Sequence, residues 1–387
     1  MIFSILLPTR NGGKYLKNCI LSVIEQNYDD YELIISDNAN DDETQEIINS
    51  FLPNNKLIYL RQDTVLSVSD NWTKTLQKSN GDYILMLGDD DFLLNGTLEI
   101  LHSKLINYNF PDCILFNGFS FVHPKSMSNT SNSYFTNKHF NFNNNFVTNT
   151  FLADNQKEHI VEEMFNFRSL IPLNMQTTLF SRNSIALSNN FKFTEPFPDH
   201  YLLNSLLIND NKWLYISDNL VIVGVSPKSF GHYYYSQNST EGLEYLGIST
   251  NFTNCLPGSP LINGMYKWLM LLKSNYPIKL KNVNINYNEY AARQFYFWLV
   301  QFKYKSITFS QLKRFLSLLT FINYLYIFTY IFNFKYLKKI LAFISLNKVK
   351  SKEVDLWDSL ILLNDINNIY DFSNWLKINK LNDKEKT

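Results

Sequence analysis

Four apolar runs of strand length, separated by helix-like stretches, dominate the first hundred residues and constrain the fold more than any other feature. They are Ile2–Leu7, Tyr31–Ser36 (YELIIS), Lys56–Arg61 and Asp82–Leu87 (DYILML). Between the first two, Leu16, Ile20, Val23 and Ile24 recur at helical spacing, and Asp70–Lys78 reads as a further helix. Strands alternating with helices give a mainly parallel sheet covered on its faces. The polar clusters fall where strands end: Pro8-Thr9-Arg10-Asn11-Gly12-Gly13 after the first run, Asp37 to Asp42 after the second, and Gly88-Asp89-Asp90-Asp91 after the fourth. That edge is where open α/β sheets bind ligands.

At 387 residues the chain has material for two units. We expect a catalytic α/β domain over 1–260, with an asparagine-rich loop or insertion at 125–150, and a helical, basic, aromatic region over 261–387. Met175–Phe180 reads as a strand, a helix runs through Leu207, and Leu220–Val225 is a strand leading into Ser226-Pro227-Lys228-Ser229-Phe230-Gly231-His232. Cys19, Cys113 and Cys255 are scattered and odd in number, which fits a reducing compartment. The N-terminus lacks the basic flank and cleavage site of a secretory signal.

Three adjacent carboxylates at Asp89, Asp90 and Asp91 repel one another and call for a compensating cation or good solvation. Magnesium and manganese prefer oxygen ligands, taking one or two protein carboxylates beside substrate phosphates and water. An exposed acidic turn capping the next helix is the plain alternative. In the second cluster, Asp37 could accept from a base N–H or a ribose hydroxyl, while Asn40, Asp41 or Asp42 could cap the following helix. An EF-hand is excluded by Ala39 and Asp42, which occupy positions requiring an oxygen ligand and a glycine. Neither G-x-G-x-x-G nor G-x-x-x-x-G-K-[ST] follows the first strand.

The stretches LPTRNGGKYLKNCILSVIEQNYDDYELIISDNANDDET and SNGDYILMLGDDDFLL resemble the N-terminal half of family 2 glycosyltransferases of the GT-A fold. Later segments, NMQTTLFSR, FPDHYLLNSLL and VIVGVSPKSFGH, resemble the abequosyltransferase-like branch of bacterial surface polysaccharide enzymes. The resemblance covers roughly residues 2 to 235. It implies a Rossmann-like mixed sheet flanked by helices and an enzyme that uses a nucleotide-sugar donor. Pro8, Thr9, Arg10, Asn11, Asp37, Asn38, Asp89 and Asp90 would line the donor pocket. Asp89 and Asp91 would form the D-x-D pair holding Mn2+ or Mg2+, and Asp199 would be the general base. Arg10 stands where an aromatic residue is frequent, and Gly88 where an aspartate is frequent, so the allocation of the three carboxylates departs from the pattern. Lys228 could contact phosphate, and His232 could meet the diphosphate or the metal. Asp199 could instead be a helix N-cap, with Glu195 as the fallback base.

The net charge of zero hides an asymmetry: −11 over 1–260, +13 over 261–350 and −2 beyond. The basic block calls for an anionic partner. Phe315–Phe334 has no charge for 20 residues, the length of a membrane span. Ser317, Thr320, Asn323, Tyr326, Tyr330 and Asn333 recur every three or four residues, however, and mark a polar stripe. We therefore expect a helix lying in the plane of an anionic membrane surface, the alternative being an ordinary core helix packed on the catalytic domain. Nucleic acid is the weaker partner, because no nucleic-acid module is present and the run is too apolar for a wet groove. The expected function is a metal-dependent inverting glycosyltransferase, cytoplasmic and peripheral at the inner face of the cell membrane. It would act on a lipid-linked glycan in O-antigen or lipopolysaccharide synthesis. The rivals are a sugar nucleotidylyltransferase, for which PTRNGGKYL is a poor loop, and a non-catalytic membrane-associated nucleotide-sugar-binding protein.

Overall fold

The first apolar run becomes the central strand β1 (Phe3–Thr9), buried along its whole length. It is flanked in parallel by β2 (Tyr31–Asp37) and β4 (Tyr83–Met86), and β3 (Leu57–Arg61) adds to β2. Strands covered on both faces need no polar alternation, which is why they read as continuous apolar runs. The cover comes from α1 (Gly13–Ile24), which buries Leu16, Ile20 and Val23, with α2 (Thr44–Asn49) and α3 (Val68–Lys78). Ser67 starts α3 by accepting from the Asp70 N–H at 3.1 Å, a side-chain cap on an otherwise orphaned donor.

This computed structural model describes residues 1–126, 131–137, 146–168, 173–189, 191–195, 197–227, 229, 254–303, 305–332 and 360–379. After β4 come β5 (Phe92–Leu93), α4 (Thr97–Asn107), β6 (Cys113–Val122), β7 (Ser133–Thr136), β8 (Thr150–Phe151) and α5 (Asp154–Phe165). They are followed by β9 (Thr178–Ser181), α6 (Arg182–Asn189), α7 (Pro198–Ile208) and β10 (Trp213–Val225). The helices α8 (Pro260–Asn275), α9 (Tyr287–Lys303), α10 (Phe309–Leu316) and α11 (Phe321–Phe332) come next, then β11 (Ile361–Leu363) and α12 (Ile369–Ile378). The sheet order is β11-β7-β6-β9-β4-β1-β2-β3, with β10 parallel to β6 and antiparallel to β5 and β8. The α/β class expected from the sequence is thus observed, as a mixed sheet flanked by helices.

Several expectations need correction. Met175–Thr177 forms a 3-10 turn, so the strand there is only Thr178–Ser181. The asparagine-rich segment is not loop throughout, since Ser133–Thr136 pairs with both β6 and β11. A division at residue 260 does not separate two cores. Trp268, Tyr290, Trp298 and Phe315 share one buried cluster with Leu6 and Ile34 of the sheet. The far end of the chain returns as well, because β11 completes the sheet edge and Phe372 of α12 packs on Phe119, Phe121 and Phe135.

The uncharged run is not one helix. It breaks at residues 317–320, where Thr320 and Asn323 cap each other: the Thr320 N–H donates to Asn323 Oδ1 at 2.9 Å, and the Asn323 N–H donates to Thr320 Oγ1 at 3.2 Å. Its polar stripe turns inward at Asn323 and Tyr326, while Ser317 and Thr320 are exposed in the break. Asn323 is buried and donates to Asn288 at 2.8 Å, and the Tyr326 hydroxyl donates to Glu289 at 3.2 Å, both on α9. Tyr330 and Asn333 add nothing to this, the Tyr330 side chain and Asn333 lying outside the described residues. Among the described residues, no helix is long and apolar enough to cross a membrane.

Candidate active site

Parallel pairing decides which polar residues meet. Thr9 stands in register with Asp37, and β4 leaves the sheet at Met86, opposite Leu6. The Gly88–Asp91 turn therefore emerges beside the end of β1. Pro8 lies past the stretch paired on both sides, so its missing N–H interrupts no doubly bonded ladder. Thr9 Oγ1 donates to Asp89 Oδ2 at 2.7 Å. The fit is tight enough that a Cβ on Gly12 would sit 2.5 Å from both of those oxygens.

The two loops beside this turn are knitted together. Arg10 donates to the Asn11 side chain at 2.8 Å and to the Ala39 carbonyl at 2.9 Å, and the Asn11 N–H donates to Asn40 Oδ1 at 2.9 Å. Asn11 and Ala39 both adopt left-handed backbone, φ 54° and 51°, a conformation that residues other than glycine rarely adopt. Asp37 has no exposed surface. One carboxylate oxygen accepts from Tyr59 and Arg61, each at 2.7 Å, and the other from the Asn40 N–H at 2.8 Å. Asn38 is equally enclosed, bonded through both side-chain atoms to the Leu66 backbone. These two residues brace the loops at this strand edge from beneath.

The three carboxylates of the acidic turn differ sharply. Asp91 is 1% exposed, accepting from the Gly88 N–H and from the Gly224 N–H of β10 at 2.9 Å. Burial, and then the neighbouring Asp90 charge, push its carboxyl well above the usual range. Asp90 accepts from the Ser229 hydroxyl at 2.6 Å and the Ser226 N–H at 3.2 Å. Burial raises it too, and those hydrogen bonds work against the rise. Asp89 and Asp90 keep partial exposure. The expected D-x-D pair of Asp89 and Asp91 therefore does not share an open face, because Asp91 is turned into the protein. That leaves Asp89 and Asp90 as the partly exposed carboxylates of the turn, oxygen donors of the type that suits a magnesium- or manganese-like ion completing its shell with water and phosphate. No third His, Cys, Asp or Glu joins them among the described residues.

Asp199 lies in the first turn of α7, with His200 as its neighbour at 3.9 Å. The preceding Phe197 has φ 142°, a strained value of the kind that collects at functional sites. Its ring fills the space over Gly264 of α8, where an added Cβ would lie 2.1 Å from the Phe197 ring. Glu195, the fallback base, instead bonds Ser67 beside Asp70 at the start of α3. Lys228 and His232 lie outside the described residues. Sequence reasoning passed over Ser226 and Ser229 as partners of Asp90, although both stand in the segment it singled out. It also missed His123, which bonds the Asp90 backbone and sits edge-on between Tyr15 and Phe121 at 4.6 and 4.8 Å.

An α/β sheet with a carboxylate turn at the C-terminal edge of its parallel strands defines the class of protein whose ligand crevice opens at that edge. Comparison agrees over part of the chain: residues 4–165 match the model of Glycosyl transferase family 2, which bears out the resemblance read from the sequence over that region. An uncharacterized glycosyltransferase of Haemophilus influenzae is 35% identical over 121 residues, covering 29% of this chain and 48% of the relative. An abequosyltransferase of Salmonella typhimurium is 35% identical over 109 residues, covering 27% of this chain and 33% of the relative. The chain thus spans half or less of the length of these relatives. Among solved structures, S. aureus TarS 1-349 in complex with UDP-GlcNAc is 15% identical with a TM-score of 0.46, covering 77% of this chain and 81% of that one.

Proposed function

We propose that this protein is a metal-dependent, inverting glycosyltransferase of bacterial surface polysaccharide synthesis. It would move a sugar from a nucleotide-diphosphate donor to a hydroxyl of a lipid-linked glycan. The observation that carries this reading is the half-exposed Asp89–Asp90 pair, fixed beside Thr9 at the strand edge inside the region that matches the family 2 model. The abequosyltransferase relative supports the surface-polysaccharide setting.

Asp89 and Asp90 would hold the ion, replacing Asp91 in that role, and the bound ion would neutralise charge growing on the departing diphosphate. Thr9 orients Asp89, and Ser226 and Ser229 orient Asp90. Arg10 and Asn11 would border the nucleotide, with Asp37 and Asn38 shaping the wall behind them. Lys228 and His232 would approach the diphosphate. The acceptor oxygen attacks the anomeric carbon as the bond to the diphosphate oxygen breaks on the opposite side. Asp199 takes the hydroxyl proton, a role worth about 10² to 10⁴-fold in rate. The basic C-terminal helices would hold the enzyme at the cytoplasmic membrane surface where such an acceptor resides.

The test is a panel of UDP-, GDP-, CDP- and dTDP-sugars assayed for Mn2+-dependent binding and transfer. Asp199→Asn should abolish transfer and leave donor binding intact. Transfer by that variant at the wild-type rate, or donor binding indifferent to both Mn2+ and Asp89→Ala/Asp90→Ala, refutes the assignment.

A further inference from the structure

We infer that the outward face of α11, together with the α9–α10 corner, is a docking surface for an anionic lipid bilayer. This deepens the membrane part of the preceding proposal and rests on it. The polar side of α11 is already satisfied against α9 through Asn323 and Tyr326. What faces outward is apolar: Phe321 is 76% exposed, Ile322 63%, Leu325 52% and Phe328 52%. Phe321, Leu325 and Phe328 stand four and three residues apart, so they line one side of the helix. Leu318 is exposed in the preceding turn, and at the α9–α10 corner the exposed rings of Phe302 and Phe309 lie 6.2 Å apart.

Charge selects the occupant. From 260 to 332 there are nine basic residues and one acid. That acid, Glu289, is buried, accepting from Arg293 at 2.9 Å and from Tyr326. Lys305, Lys313 and Arg314 are exposed on the corner and on α10, the helix that leads into α11. Apolar side chains rimmed by cations, on helices too short to cross, match the interfacial mode in which rings and aliphatics enter the acyl boundary and cations meet lipid phosphates. A second copy of the chain is a poor occupant, because two such faces would bring like charges together.

The experiment is flotation of the full-length protein with phosphatidylcholine vesicles, with and without one third phosphatidylglycerol (about a third, to supply the surface potential). Mn2+-dependent binding of nucleoside diphosphate is measured in parallel without vesicles. Wild-type protein should partition at least about ten-fold better onto the anionic vesicles. Phe321→Ser/Ile322→Ser/Leu325→Ser/Phe328→Ser should lower partitioning at least about ten-fold, and Lys313→Gln/Arg314→Gln about five-fold per charge. Both variants should keep the wild-type unfolding midpoint and nucleotide binding. Should the quadruple variant unfold, the charge variant carries the test alone. Equal flotation of wild type and the charge variant overturns the inference, as does a vesicle-free dimer that the serine substitutions dissociate. Partitioning without any nucleotide binding would uphold the docking face and sink the donor assignment.

Discussion

Replacing Gly224 by alanine should disable the acidic turn from a distance. Gly224 lies in β10, in register with Phe121, and its N–H donates to Asp91. A Cβ there would fall 1.8 Å from the Asp90 carbonyl oxygen and 2.6 Å from its carbonyl carbon, both rigid backbone. Real Cβ contacts do not go below 3.0 Å, so the turn or the strand must move by about an ångström, a typical overpacking strain of about 1–3 kcal/mol. If the movement breaks the hydrogen bond to Asp91, a further 1.5–3 kcal/mol (roughly the worth of a bond to a charged group) is lost. About 2.5–6 kcal/mol out of a total of roughly 5–15 kcal/mol is then at stake. Urea denaturation should show a lower midpoint with an unchanged slope. Misplacement of Asp90 by about an ångström should also cut Mn2+-dependent transfer on the order of a hundred-fold, even in folded protein. Stability within about 1 kcal/mol of wild type, together with normal transfer, would refute the claim that β10 braces the turn.

Other perturbations test other parts. Burial holds His123 down at about 3, against an ordinary value near 6.5 (roughly the model-peptide figure). The unfolded chain therefore binds a proton that the folded chain refuses as pH falls below about 6.5. Stability should be full above that pH and decline through the window down to about 3, by about 2 kcal/mol at about pH 5. His123→Gln should flatten this decline in denaturation curves taken from about pH 7 to 5. Thr9→Val should weaken Mn2+-dependent donor binding about ten-fold by freeing Asp89, and Thr9→Ser should restore it; a titration showing no change for Thr9→Val would count against the role of that hydroxyl. Phe372→Ala should cost about 3–5 kcal/mol, read from the denaturation midpoint, because the ring stacks on Phe121 at 5.2 Å and is wholly buried.

The parallel half of the sheet is legible in the sequence because strands buried on both faces leave uninterrupted apolar runs, with polar residues confined to their ends. The same reasoning locates Thr9 and the acidic turn. It cannot say which way each carboxylate points: the bonds from Gly88 and Gly224 that turn Asp91 inward come partly from a strand more than a hundred residues away. Periodicity likewise revealed the stripe through Asn323 and Tyr326 but not which side was wet. That depended on Asn288 and Glu289 waiting on another helix. The strand at 361–363 is too short to stand out before its partner β7 is known.

That last strand also imposes a timetable on synthesis. A ribosome delivers β6 and β7 early, yet the open edge of β7 and the rings of Phe119, Phe121 and Phe135 stay uncovered until some two hundred further residues have emerged (roughly ten to forty seconds at ordinary elongation rates). During that interval the nascent protein carries an unpaired edge and a greasy patch, both invitations to pair with a neighbour. Chaperone demand and expression yield should therefore hinge on how quickly the final stretch is translated.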